Sequence, residues 1–83
     1  MGVSWIKYEK DKESFKLPEV LGFDVVKLKN LEDADKKIEE LVKNDCRTII
    51  ISNDVAGYSE DIIKKYNKDP NVKIVISFDK DIL

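Results

Sequence analysis

The 83 residues contain no histidine and a single cysteine, Cys46. The first absence removes the usual general base, the usual metal ligand and every Ser-His or Cys-His arrangement. The second excludes an intrachain disulfide and a cysteine zinc cluster. Glycine is scarce and scattered over Gly2, Gly22 and Gly57, so neither G-x-G-x-x-G nor G-x-x-x-x-G-K occurs. Arginine is nearly missing too: all basic residues except Arg47 are lysine, which weighs against bidentate reading of phosphates or bases. No uninterrupted apolar run exceeds the three residues Ile49-Ile50-Ile51, against the roughly 20 that cross a bilayer. No basic-then-apolar leader opens the sequence, and Ile6 stands where a Met1-Gly2 myristoylation signal wants Ser or Thr. These absences predict a cytoplasmic, non-catalytic chain with no cofactor, no metal and no nucleic-acid partner.

What is present is a balanced globular composition. The chain is 42% hydrophobic and 39% charged, too apolar for disorder, and its length suits one modest core. Fifteen basic and 17 acidic side chains leave a formal net charge of −2. They are interspersed, as in Glu32-Asp33-Ala34-Asp35-Lys36-Lys37, and form no one-signed block for nucleic acid. No linker, repeat or low-complexity segment divides the sequence, so residues 1–83 are expected to form one domain.

The hydrophobic period alternates between two and about 3.6 along the chain. Val3 to Tyr8 reads as a strand with β-favouring bulk at Trp5, Ile6 and Tyr8. A charged loop, Glu9 to Glu13, precedes a short helical turn that Ser14 can cap and Pro18 limits. Leu21-Gly22 is a turn, and Phe23 to Leu28 a second strand. After Asn30 as N-cap, Leu31, Ala34, Ile38, Leu41 and Val42 form one helical stripe, with Glu32 and Asp33 at its positive end and Lys43 at its negative end. Thr48 to Ile51 is the most β-prone stretch, and its unbroken apolarity predicts a central strand covered on both faces. On that reading Ile50→Ala is a severe substitution and Asp54→Ala a mild one. Ser52 caps a third helix reaching about Asn67, with Ser59 as an alternative cap beyond Gly57. Val72 to Ile76 is the last strand, extended in character by Phe78.

Strand–helix alternation of this kind predicts an α/β fold, Rossmann- or flavodoxin-like: a small open sheet of four parallel strands in the order 2-1-3-4 with helices on both faces. The carboxyl ends of the strands should then gather two polar clusters. One is Glu9, Asp11 and Glu13; the other is Ser52, Asn53 and Asp54. Their placement allows a receiver-like regulatory domain with an acidic site at Asp54, although such a domain needs a fifth strand; loop solvation and helix capping explain the same residues. Cys46, between Asp45 and Arg47 and ahead of a core strand, reads as a half-buried structural thiol. Trp5 and Tyr8 read equally well as interface anchors or as sheet cover.

Three stretches stand out together. The first is Asp11 with Ser14-Phe15-Lys16-Leu17, and the second is Gly22, Val25-Val26 and Glu32-Asp33-Ala34. The third is Ile49 through Ala56. Together they resemble the F subunits of the V-type and archaeal-type rotary ATPases (ATP synthases), the first standing in place of an acidic loop and a Gly-Phe-Arg-Leu-like element. Two places depart from the family pattern. Ser4 and Lys7 interrupt a first strand that is usually apolar and ends in Gly-Asp, and Ser77-Phe78-Asp79-Lys80 replaces a proline and a longer tail. The resemblance implies a non-catalytic binding module on the rotating central stalk, serving proton or sodium transport coupled to ATP. It implies a coiled-coil stalk subunit as partner and a location at the periphery of a membrane ATPase complex. Candidate partner-binding residues are Trp5, Tyr8, Lys43 and Tyr58; a self-associating stand-alone domain is the remaining alternative.

Overall fold

A computed structural model describes residues 2–77. Its elements follow one another as β1 (Val3–Tyr8), α1 (Lys16–Val20), β2 (Val25–Leu28), a 3₁₀ turn (Leu31–Asp33), α2 (Ala34–Lys43), β3 (Thr48–Ser52), α3 (Asn53–Tyr58), α4 (Glu60–Asn67) and β4 (Lys73–Ser77). The four strands form one sheet in the order β2-β1-β3-β4, and every neighbouring pair is parallel. This is the topology expected from the alternation. Phe78, expected to extend the last strand, lies outside the described residues.

Register decides what each strand shows to each side. Ile6 is paired with Val26 and with Ile51, and Ile51 with Ile76, so these four share one face. That face also carries Leu28 and Ile49, and α2, α3 and α4 close over it with Ala34, Ile38, Val55, Ala56 and Ile63 in one buried cluster. The helical stripe from Leu31 to Val42 packs there as its spacing predicts. Each large aliphatic buried in this way stabilises the fold by about 1.5–3 kcal/mol.

The opposite face is thinly covered. Trp5 is paired with Val25 and Ile50, and Ile50 with Val75, giving one row across all four strands. None of these four belongs to the buried cluster. Over this face lies α1, tethered where Lys7 Nζ donates to the Ser14 carbonyl at 2.7 Å and Lys27 Nζ to Glu19 at 3.0 Å. The central strand is therefore sealed on one side and half-sealed on the other. Ile49 and Ile51 are fully buried and Ile50 half-buried, so the cover expected on both faces of β3 is tighter on one than on the other.

Several helix ends differ from their sequence reading. Phe15, not Ser14, occupies the N-cap of α1, in the left-handed region at φ 59°, and no side chain caps the helix. Pro18 sits in the first turn, where its missing N–H has no intrahelical partner to lose, and it is buried. Asn30 stands where a cap is expected, but the chain enters α2 through the 3₁₀ turn and the Asn30 amide makes no capping bond. The single third helix resolves into α3 and α4, with Ser52 and Ser59 at the two N-cap positions and neither hydroxyl capping. At the end of α2, Asn44 Nδ2 donates to the Glu40 carbonyl at 2.9 Å and Asp45 turns left-handed at φ 70°, ending the helix where the sequence suggests.

The unequal faces give a stability test. Ile51→Ala leaves a cavity in the sealed core and is expected to cost about 2–5 kcal/mol. Ile50→Ala should cost clearly less, because its side chain already meets solvent. Urea unfolding of the two variants checks the order, and equal losses would mean the second face is covered after all.

Candidate functional site

The carboxyl ends of β1 and β3 adjoin at the point where the chain's connections leave in opposite directions, the usual ligand position in an open parallel sheet. An open cleft of about 550 Å³ lies there, lined by Tyr8, Lys10, Asp11, Lys12, Glu13 and Asp54. The β1–α1 loop that forms its wall is fixed from within. Asp11 Oδ1 accepts the backbone N–H groups of Glu13 and Ser14, each at 3.1 Å. Lys7 holds the Ser14 carbonyl from below, and Phe15 buries its ring while taking the left-handed turn. At least one oxygen of Asp11 is thus engaged in shaping the loop, as the capping reading of these acids predicts. Among the described residues no group of three or more His, Cys, Asp or Glu side chains is placed to hold a metal ion.

Lys7 and Ser4 interrupt the first strand in the sequence, and the structure gives each a task. The Ser4 hydroxyl donates to Asp24 Oδ2 at 2.7 Å. The Lys7 side chain is buried, with its ammonium also 3.8 Å from Glu19. Around Glu19, the hydrogen bond from Lys27 and the nearby positive charges of Lys27, Lys7 and Lys12 hold the carboxyl below the usual glutamate range, against a smaller opposing effect of desolvation. Cys46 is buried, its sulfur 3.5 Å from the Gly2 carbonyl oxygen, 3.4 Å from that of Thr48 and 3.6 Å from the Ser4 hydroxyl. It is a packed thiol at the base of the sheet.

The four candidate contact residues fall on separate surfaces. Tyr8 is half-buried at the cleft. Trp5 belongs to the opposite side of β1, its ring 5.2 Å from that of Phe23 at an interplanar angle of 39°. Lys43 closes α2 beside Lys36, Glu39, Glu40 and Asn44. Tyr58 ends α3 and is 58% exposed. Phe23 and Val75, exposed on the same face as Trp5, were not among the residues singled out from sequence; strand alternation within β4 carried the signal for Val75.

A family profile described as ATP synthase (F/14-kDa) subunit matches residues 10–81. The chain belongs to this family. Two relatives are the F subunits of V-type ATP synthase in Clostridium botulinum, from strain Eklund 17B / Type B and strain Alaska E43 / Type E3. Each is 36% identical over 59 residues, which cover 71% of this chain and 57% of the relative. The matched stretch thus spans little more than half the length of these relatives. No solved structure matches. The family match begins after β1, so the strand with the polar interruptions is also the one outside it; the sheet nevertheless keeps β1 between β2 and β3.

Two measurements probe the site. Because the Glu19 carboxyl titrates lower in the folded chain than in the unfolded one, its contact with Lys27 stabilises the fold above the ordinary glutamate range and stops doing so as pH falls through the lowered value. In Lys27→Met the Glu19 titration, followed by carboxyl NMR, should move up toward the ordinary range. Separately, Asp54→Ala removes a carboxylate from the first turn of α3 and should cost about 0.3–1 kcal/mol. A magnesium titration of the unaltered chain should leave Asp54 and the cleft resonances in place; saturable shifts there would restore the receiver-like reading.

Proposed function

We propose that residues 1–83 act as one domain: a non-catalytic binding module, like the F subunits, on the central stalk of a V-type or archaeal-type rotary ATPase. In that position it contributes to assembly of the stalk through which ATP turnover is coupled to proton or sodium transport. The observation that carries the reading is the family match over residues 10–81, which takes in every element except β1. The sequence supports it from the other side, having no histidine and no phosphate-binding glycine loop for chemistry of its own. No helix among the described residues is long and apolar enough to cross a membrane. By its likeness to the F subunits, the place proposed for the domain is peripheral, on the cytoplasmic side of the complex.

The partner on this reading is the coiled-coil subunit of the stalk, and Trp5, Tyr8, Lys43 and Tyr58 are the candidate contacts. Since they occupy different surfaces, they divide the possible docking sides of the domain among them. The expected affinity is roughly micromolar, as suits a contact at the small end of specific interfaces. Titration of the cognate stalk subunit into isotope-labelled chain should shift one contiguous patch of resonances, and the isolated chain should hydrolyse no ATP. Absence of any shift with a folded partner at high concentration would overturn the stalk assignment.

A further inference from the structure

The row Val25, Trp5, Ile50 and Val75 crosses the sheet on the face opposite the main core. All-parallel sheets are ordinarily covered by helices on both faces. Here the cover among the described residues includes α1, whose five residues make a rod of about 7.5 Å, and Phe23, whose ring lies 5.2 Å from that of Trp5. The sheet beneath measures about 14 Å across four strands and about 17 Å along them. The shortfall shows in the solvent exposure: Val75 is 37% exposed, Val3 46% and Phe23 53%. The tether through Lys7 and Lys27 places α1 toward the carboxyl ends of β1 and β2, so the part that the described residues leave more open is the amino-terminal half and the β3–β4 side, where Val3 and Val75 are exposed.

Charge selects what fits there. On this face the described strands contribute the amines of Lys7, Lys27 and Lys73 and no carboxylate. Asp24, at the start of β2, is drawn toward the other face by the Ser4 hydroxyl. Glu19 of α1 is shared between Lys27 and Lys7, leaving the Lys73 ammonium on the far edge. The face is therefore apolar with a basic margin, on a chain whose formal net charge is −2. Two copies joined through it would set lysine margins against each other, an arrangement that repels.

We propose that this face is a docking surface for an amphipathic helix of a partner protein, with an aliphatic stripe to lie across Trp5, Ile50 and Val75 and carboxylates on the flank of the stripe to meet Lys73. The inference rests on the reading that the domain works by binding a protein, but not on the stalk being that protein. It assigns Trp5 to this contact and leaves Tyr8, Lys43 and Tyr58 outside it. An apolar patch rimmed by charge is the usual form of such a surface.

Two synthetic amphipathic helices with one leucine stripe, flanked by glutamates in the first and by lysines in the second, serve as probes on the full 83-residue chain. Trp5 is the only tryptophan, so its indole resonance and emission report this face directly. The glutamate-flanked helix should shift Trp5, Val25 and Val75 together and bind at least about tenfold more tightly than the lysine-flanked one. Val75→Asp should weaken it by a similar factor, and Lys73→Glu, at an exposed position, should do so with an unchanged melting temperature. Equal binding of both helices, or shifts confined to the α2–α4 side, would overturn the proposal. So would concentration-dependent dimerisation lost in Val75→Asp, which would give the face to a second copy. A Trp5 emission shielded from quencher in the full chain and exposed on removal of residues 78–83 would give it to the chain's own end. If the stalk partner does not bind while the acidic helix binds at Trp5, the stalk reading falls and this one stands; the converse result separates them the other way.

Discussion

All four strands run in the same direction, so every connection must cross a face of the sheet, and the right-handedness of such crossovers decides which face it takes. From β1 the chain steps outward to β2; from β2 it passes back over β1 to β3, and then on to β4. The direction reverses once, and α1 is consequently separated from α2, α3 and α4. The main core, the thin opposite face and the cleft at the carboxyl ends of β1 and β3 all derive from that one reversal.

On the strong side the packing is conventional. A period-two set of aliphatics from the strands meets a 3.6-period stripe from α2, and the inner residues Ile6, Ile38, Ile49, Ile51 and Val55 lose all contact with water. On the weak side polar contacts stand beside the Trp5–Phe23 ring contact. Lys7 extends beneath α1 to the Ser14 carbonyl, and Glu19 reaches back to Lys27. A buried lysine in an interior strand is costly unless its charge is satisfied, and here the Ser14 carbonyl and Glu19 meet it.

Membership of the family of ATP synthase (F/14-kDa) subunits and this geometry bear on each other. The β1–α1 loop, which in many open sheets would present catalytic or phosphate-binding groups, is tied down here by Asp11 and Lys7.

The hydrophobic period was enough for the type and order of nearly every element, and for the 2-1-3-4 sheet, because crossover rules leave few alternatives once alternation is recognised. It was enough for the α2 stripe and for the turn at Asn44-Asp45, where local chemistry governs. It did not reveal that Lys7 is buried, that Phe15 takes the left-handed cap of α1, or that Ile50 is less enclosed than Ile49 and Ile51. In β3 the three isoleucines are identical to a sequence reading, since apolarity says that a residue can be buried and alternation says only that neighbours point apart. Which side each helix takes follows from strand order and crossover handedness, but how far it covers that side depends on contacts between distant segments. Local pattern was therefore sufficient for the elements and their pairing, whereas the unequal cover of the two faces by the described residues emerged only when distant segments packed together.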